Sequence, residues 1–158
     1  MTLGPNSPEI GEALYCKGIA YIKLLMQDSA IECFDEVVRV RKLDLGENHI
    51  SVADAFSIRG SLRSRQGKTE DALLDLSEAS RIYQLRGETR RATEVLREMG
   101  DKHRAIGSLN EAIWCYKECL RMEGVEGDIL ADWHVTLGDV EMAAGRRSDA
   151  RFSYMRGD

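Results

Sequence analysis

Residues 100–116, GDKHRAIGSLNEAIWCY, decide the fold of this 158-residue chain. The stretch begins with a glycine, which we call the phasing glycine, and places an alanine twelve residues later and a bulky apolar residue four beyond that. The same spacing occurs four times, in the sets Gly18, Ala30, Phe34; Gly60, Ala72, Leu76; Gly100, Ala112, Tyr116; and Gly138, Ala150, Tyr154. Such self-similarity indicates one small unit stacked several times, which offers a long binding surface more readily than a catalytic pocket.

Each phasing glycine lies among apolar residues spaced three and four apart, which predicts amphipathic helices and an all-α fold. A second glycine suited to a turn follows seven residues later in three copies, at Gly67, Gly107 and Gly145. In the first copy Leu25 holds that position, so we predict a turn at 26–28, with the polar stretch 27–29 supplying the N-cap. The predicted helical hairpins are 10–25 with 29–41, 54–66 with 70–85, 92–106 with 110–122, and 129–144 with 148–155.

The linkers between hairpins shorten along the chain, because the phasing glycines are 42, 40 and 38 residues apart. The longest linker contains Leu45-Gly46-Glu47-Asn48-His49, and its counterpart 42 residues earlier is Leu3-Gly4-Pro5-Asn6-Ser7. The chain thus opens within a linker, and its last helix ends soon after Ala150. We predict one array over 1–158, a segment of a longer array, with repeats at about 9–44, 51–87, 91–124 and a truncated 128–158.

The composition excludes several classes of partner. A formal net charge of −5 and a pI near 5.3 argue against a general nucleic-acid-binding surface. No apolar stretch reaches the length of a membrane span, and the first ten residues lack the features of a signal peptide. Four cysteines without the paired spacing of small disulfide scaffolds indicate reduced thiols. We therefore expect a cytoplasmic protein with no nucleic-acid or membrane partner.

No motif in the chain predicts catalysis, a cofactor or a metal site. Gly67-Lys68-Thr69 resembles the end of a phosphate-binding loop, but Gly60 leaves six residues before Gly67 where that loop requires four. Cys115 and Cys119 are one helical turn apart, with His103 in the partner helix. Two ligands on one turn are weak evidence for a metal or a redox pair, so we interpret these cysteines as buried packing residues.

The phasing pattern in helix-turn-helix units resembles the tetratricopeptide repeat, in its 42-residue variety. The linker 45–49 leading into Val52-Ala53 is similar to the linker of kinesin light chain repeats, and 3–10 looks like a second copy. The resemblance covers about residues 3–154 and implies a right-handed α-solenoid of about four repeats. One departure concerns the aromatic expected three residues after each phasing glycine, where the four copies have Tyr21, Arg63, His103 and Glu141.

The resemblance also implies where a ligand lies. In such arrays the first helix of each hairpin lines the concave face, with ligand-facing positions three before, and one, four and five after, each phasing glycine. These positions hold Tyr15, Ile19, Ile22 and Lys23 in the first repeat, Ser57, Ser61, Ser64 and Arg65 in the second, Arg97, Asp101, Arg104 and Ala105 in the third, and Val135, Asp139, Met142 and Ala143 in the fourth. From the first repeat to the fourth, the predicted surface is therefore apolar, then small and polar, then basic, and finally mixed.

This grading leads us to expect a non-catalytic protein-interaction module that binds an extended peptide with an acidic residue beside an apolar one. Arginine holds carboxylates through paired guanidinium hydrogen bonds. The apolar group would meet Tyr15, Ile19 and Ile22, and the acidic group would meet Arg65, Arg97 and Arg104. The lysine and asparagine pairs of chaperone-binding relatives are absent from these positions, so we do not expect chaperone tails as ligands.

Two alternatives stay open. In one, the arginines are solvated charges offset by four acids that we predict in the first turn of a helix, namely Glu12, Asp54, Glu94 and Asp132. In the other, the chain is a structural or regulatory segment of a larger multidomain protein and self-associates through the uncapped ends of its array. An enzyme is a third reading, which requires an active site unlike every pattern above.

Overall fold

The computed structural model describes residues 8–122 and 127–157, and within these ranges it contains helices and turns but no strand. The all-α prediction is confirmed. The predicted linker copy at 3–7 lies outside the described residues. The helices are α1 Pro8–Lys23, α2 Gln27–Leu45, α3 Ile50–Arg65, α4 Thr69–Leu85, α5 Thr89–Ala105, α6 Leu109–Arg121, α7 Gly127–Ala143 and α8 Arg147–Gly157.

The chain divides into two compact units, Met1–Gly87 and Glu88–Asp158. In unit 1, α1 packs on α2, α3 packs on α4, and α2 contacts α3. In unit 2, α5 packs on α6, α7 packs on α8, and α6 contacts α7. Each unit therefore holds two of the four predicted helical hairpins. That the hairpins form one continuous array over 1–158 stays a prediction, as do the repeat bounds.

The phasing glycines allow a bulky side chain of the second helix to lie against the first. A methyl group added at Gly100 would lie 2.9 Å from the ring of Tyr116, and one added at Gly138 would lie 2.6 Å from the ring of Tyr154. Tyr116 also packs in a core cluster with Leu137 and Val140 of the next hairpin. The bulky residue thus fills space in its own hairpin and against the following one, as the repeat pattern predicts.

The turn of the first hairpin differs from the prediction. Leu25 has a φ of 60°, close to the 76° of its counterpart Gly67, and its N–H donates to the carbonyl of Ile22 at 3.0 Å. The predicted turn at 26–28 is wrong, because α2 already begins at Gln27 with Met26 as its N-cap. The first hairpin therefore makes the same turn as the others, with a leucine in a conformation that costs about 1 kcal/mol for a residue with a side chain.

Several helices also begin earlier than predicted. In α3 the N-cap is His49, whose Nδ1 accepts a hydrogen bond from the backbone N–H of Ser51 at 3.2 Å. Histidine is not a common N-cap residue, so residue preferences do not mark this helix start. The four acids predicted in first helical turns consequently lie in second turns, so that prediction is wrong. Two of them bind side chains from the other helix of their hairpin: Glu12 pairs with Arg41 at 2.8 Å, and Asp54 accepts from the Tyr83 hydroxyl at 2.6 Å.

A cluster of four charged side chains, of which Asp75 is buried, joins the two hairpins of unit 1. Arg59 of α3 donates to both carboxylate oxygens of Asp75 on α4, at 2.9 and 2.6 Å, and to Asp35 on α2 at 2.7 Å. Arg63 donates to Asp75 at 2.9 Å and to Asp35 at 3.4 Å. Burial alone would lower the pKa of Arg59, but the hydrogen bonds and charges of Asp75 and Asp35 raise it, so this arginine stays charged. We call these four residues the unit 1 ion cluster.

Two of these four positions carry the opposite charge in unit 2. Lys117 of α6 corresponds to Asp35, and its ammonium lies 2.9 Å from Oε1 of Glu141 on α7, which corresponds to Arg63. Ser153 of α8 stands where Asp75 does in unit 1 and donates to Oε2 of Glu141 at 2.7 Å. We call these three residues the unit 2 ion cluster. Each unit thus joins its hairpins through ion pairs, with the signs exchanged.

Candidate functional site

The predicted ligand-facing residues of unit 1 come together in part. A depression between α1 and α3 has a volume of about 220 Å³ and collects four of them, along with two apolar residues. Its lining residues are Ile22, Ser57, Ile58, Ser61, Leu62 and Arg65. The first helices of the two hairpins therefore form a small concave site with an apolar floor, hydroxyl groups on its wall and a guanidinium at one end.

Two lining residues, Ile58 and Leu62, were not among the predicted site residues. Leu62 is buried and Ile58 is half-buried, so they supply the apolar floor. The positions taken from the family resemblance skip them, although each directly follows a predicted serine. Arg65 lines the depression and is exposed, and Lys23, which follows the lining residue Ile22 in sequence, is also exposed; neither pairs with another residue in the described part of the chain. The depression therefore has one cation in its lining that an acidic ligand could reach.

The remaining predicted residues of unit 1 do not line the depression. Tyr15 packs edge-on against Phe34, with ring centres 5.6 Å apart, and carries the guanidinium of Arg41 at 4.6 Å from its ring centre. These contacts tie the Tyr15 ring to α2. Ile19 and Ser64 are half-buried and also lie outside the lining.

In unit 2, Asp101 organises the predicted arginines. Its carboxylate lies 3.0 Å from Nη1 of Arg97 and 3.8 Å from Nη2 of Arg104, and it accepts a hydrogen bond from the Tyr116 hydroxyl at 2.6 Å. Burial, followed by the bond to Asp101, raises the pKa of Tyr116, so the hydroxyl remains a donor. The two arginines that we expected to hold a ligand carboxylate therefore share a carboxylate of their own chain.

The fourth repeat has the same arrangement of tyrosine and aspartate. The Tyr154 hydroxyl donates to Asp139 at 2.7 Å, just as Tyr116 donates to Asp101. In the two copies whose bulky residue is tyrosine, the residue directly after the phasing glycine is aspartate. In the copies with Phe34 and Leu76 that residue is Ile19 and Ser61. Two predicted site residues, Asp101 and Asp139, thus bind the tyrosines of the phasing pattern. Beside them the exposed predicted residues of α7 and the end of α5 are Val135, Met142, Ala105 and Ala143.

The buried thiols of unit 2 pack into its structure. Burial raises the pKa of both Cys115 and Cys119 to about 12, so neither forms a thiolate near neutral pH. The Cys119 thiol donates to the carbonyl of Thr93 at 3.5 Å. Across residues 8–122 and 127–157, no three histidine, cysteine or acidic side chains are arranged to hold a metal ion. Within those same ranges no helix combines the length and the apolar character that crossing a bilayer requires.

Comparison with known proteins identifies the fold. No family model matches the chain, and no curated protein is similar to it in sequence. Among solved structures, the nearly identical TPR-like repeats of a putative kinesin light chain from P. anserina match 99% of this chain and 77% of theirs, with a TM-score of 0.78 and 18% identity. BtubC from P. vanneervenii matches 93% of this chain, with a TM-score of 0.75 and 19% identity.

A third similar structure is aspartyl phosphate phosphatase F from Bacillus subtilis, with a TM-score of 0.71 and 14% identity over 99% of this chain. This chain spans 61% of BtubC and 40% of the phosphatase, so it corresponds to a part of those proteins. The chain therefore has a tetratricopeptide-like repeat fold. The resemblance found in the glycine spacing is confirmed at the level of the fold, and at these identities the likeness extends to the fold alone.

Proposed function

We propose that this chain is a non-catalytic protein-interaction module that binds an extended peptide on the faces formed by the first helices of its hairpins. The observation that carries the proposal is the depression between α1 and α3, which gathers Ile22, Ser57, Ser61 and Arg65. The tetratricopeptide-like fold supports it, because stacked helical hairpins offer extended surfaces for partners. We place the protein in the cytoplasm, in keeping with its four free cysteines.

The chemistry of the depression favours a peptide with an apolar residue next to an acidic one. An apolar side chain gains by leaving water for the floor of Ile58 and Leu62. The neighbouring carboxylate then lies near Arg65 and Lys23, whose charges are not used by another described side chain. The serine hydroxyls can donate to or accept from the peptide backbone.

Unit 2 offers a weaker binding site for an acidic ligand than its arginines alone suggest. Arg97 and Arg104 are each about half exposed, and a guanidinium has more donors than one carboxylate uses. A ligand carboxylate must nevertheless share these arginines with Asp101. We therefore expect Arg65 to contribute more to peptide binding than Arg97 or Arg104.

Reversing the charge of Arg65 tests the proposal. Synthetic peptides with one leucine, phenylalanine or tryptophan flanked by aspartate, serine or lysine are titrated with the full chain, and binding is followed by fluorescence anisotropy. We expect the aspartate-flanked peptides to bind, and Arg65→Glu to weaken the binding by about tenfold or more, because it replaces a charge-assisted hydrogen bond with repulsion. The double variant Arg97→Glu with Arg104→Glu should have a smaller effect.

Arg147→Glu provides the matched control, because Arg147 is an exposed residue of α8, far from the depression in sequence, and the substitution changes the net charge equally. If aspartate-flanked and lysine-flanked peptides bind equally well, the acidic specificity is wrong. If Arg65→Glu binds as the control does, the assignment of the depression is wrong.

Self-association is the second candidate function. The observation in its favour is that α8 exposes two large apolar side chains, Phe152 and Met155, each 70% accessible. Light scattering on the full chain tests it. A mass that rises with concentration is expected for self-association, and a constant monomer mass at high concentration contradicts it.

A further inference from the structure

Three side chains with soft or borderline metal-binding atoms lie together in the third hairpin, within unit 2. A depression of about 320 Å³ opens between α5 and α6, and its lining residues are Met99, His103, Asn110, Glu111, Trp114 and Cys115. The three donors are the thioether of Met99, the imidazole of His103 and the thiol of Cys115. We call these three residues the α5–α6 triad. None of them is among the predicted peptide-binding residues.

Other hairpins show that side chains at these three positions meet. The positions are one residue before the phasing glycine, three residues after it, and three residues after the alanine of the phasing pattern. In the second hairpin they hold Arg59, Arg63 and Asp75, and both arginines donate to Asp75, at 2.6 and 2.9 Å. In the fourth hairpin Ser153 donates to Glu141 at 2.7 Å. The repeat therefore directs these side chains to one point between its two helices.

The third hairpin holds its helices in the same register as the second. A methyl group added at Gly100 would lie 3.3 Å from Cβ of Cys115, and one added at Gly60 would lie 3.2 Å from Cβ of Asp75. Imidazole and glutamate side chains are of similar length, and cysteine has the shape of serine, so His103 and Cys115 match the bonded pair of the fourth hairpin. The imidazole and the thiol thus stand at facing positions on the wall of one depression.

The α5–α6 triad is largely withdrawn from water. Cys115 and Met99 are 1% and 7% exposed, and Nδ1 of His103 is buried without a hydrogen-bond partner. Met99 precedes His103 by one helical turn, so both lie on the same face of α5. Buried polar atoms in native proteins are nearly always satisfied, so an unpartnered nitrogen beside two sulfur atoms indicates a bound group that completes it.

The chemistry of these donors selects Cu(I). Thioether and thiolate sulfur are soft ligands that suit Cu(I), whereas zinc sites are built from cysteine, histidine and carboxylate ligands. In the part of the chain that the structure describes, no three histidine, cysteine or acidic side chains are arranged to hold a metal ion, so Glu111 does not complete a zinc site here. Charge favours the same ion, because Cu(I) with one thiolate is neutral and a neutral group is buried at the lowest cost.

We propose that Met99, His103 and Cys115 bind one Cu(I) ion between α5 and α6. The Cys115 thiol gives its proton to solvent as its sulfur bonds to the ion, and the imidazole and the thioether bind as neutral ligands. Burial raises the pKa of the free Cys115 thiol to about 12, and the positive charge of the ion offsets that penalty, so the thiolate forms here only with the metal. The site is independent of the peptide-binding function proposed above, since it uses other residues.

Anaerobic competition with bicinchoninate, a chelator that is coloured when it holds Cu(I), tests the proposal. Every measurement uses the full chain with Cys16→Ser, because Cys16 is exposed and its thiol could bind Cu(I) by itself. We expect the chain to withdraw one equivalent of Cu(I) from the chelator and to release one proton, and we expect equimolar Zn²⁺ not to displace the ion. A chain that withdraws no Cu(I), or that loses it to equimolar Zn²⁺, overturns the proposal.

Two variants and a matched control test the ligands. Met99→Leu removes the thioether while it conserves the side-chain volume, and Cys115→Ala removes the thiol. Each should weaken Cu(I) binding by about tenfold or more, the range already typical of residues that only orient a metal ligand. The control is Cys33→Ala, because Cys33 is buried at the same position of the first hairpin, where Lys17 and Tyr21 replace the other two ligands. Circular dichroism checks that each variant folds. Full affinity in Met99→Leu or Cys115→Ala, or an equal loss in Cys33→Ala, overturns the site.

Discussion

Replacing Asp75 with alanine should lower the free energy of unfolding by about 3–5 kcal/mol, the usual cost of removing one partner from a buried ion pair. The Asp75 side chain is only 4% exposed and accepts three hydrogen bonds, two from Arg59 and one from Arg63. Arg59 and Arg63 are themselves 12% and 22% exposed, so the variant leaves two guanidinium groups partly buried beside Asp35 alone. Water cannot fully replace the lost carboxylate, because the site is covered by α2, α3 and α4.

Urea unfolding followed by circular dichroism measures this effect, and Asp35→Ala is the matched control. Asp35 bonds to the same two arginines, but its side chain is 46% exposed, so solvent screens its charge and its loss should cost about 1 kcal/mol. If the two variants lose equal stability, the buried part of the unit 1 ion cluster does not dominate the joint between its hairpins.

The second large effect should come from reversing one charge of the unit 2 ion cluster. Lys117→Asp places a carboxylate next to Glu141, whose side chain is 1% exposed and which then has no cation at 2.9 Å. We expect a loss of about 3 kcal/mol or more, because a buried carboxylate loses its partner and gains a like charge. Adding Glu141→Arg to this variant recreates the acid and arginine polarity of Asp35 and Arg63, and should recover about half of the loss or more.

A double-mutant cycle, measured by urea unfolding, tests whether the sign of the charges or the packing joins these two hairpins. Lys117→Asp and Glu141→Arg alone each bring like charges together, so each should unfold more easily than the pair. A depression of about 460 Å³ bounded by α6, α7 and α8 lies beside Glu141 and provides room for the longer arginine. A double variant that is no more stable than the weaker single variant would show that packing, and not the sign of the charges, joins these hairpins.

Much of the fold could be predicted from the glycine spacing, because that spacing reports a steric contact. A glycine that must leave room for Tyr116 or Tyr154 is fixed by a clash with any larger residue, so it marks its hairpin reliably. Helix starts were less predictable. The N-cap at His49 and the left-handed turn at Leu25 use residues that seldom hold those positions, so residue preferences alone do not mark them.

The candidate site could be predicted only in part, because counting positions along a helix does not show what else a side chain contacts. Four predicted residues line the depression of unit 1, but Ile58 and Leu62 were missed as its floor. Asp101 was predicted to face a ligand, which stays a prediction, and the count of positions did not show that it also binds Arg97 and Tyr116. A signal was available in the sequence, because tyrosine in the bulky position and aspartate after the phasing glycine occur together in the third and fourth copies.

The opposite polarity of the two ion clusters limits how these hairpins can be rearranged. A shuffled chain in which the fourth hairpin directly followed the first would bring Asp35 to the position that Lys117 occupies opposite Glu141. Two carboxylates would then meet at a buried joint, so the recombinant should fold poorly although each hairpin keeps its own glycine contact. The hairpins share one shape, but their charges prevent them from being interchanged. An extended version of this protein would therefore have to repeat hairpins in pairs.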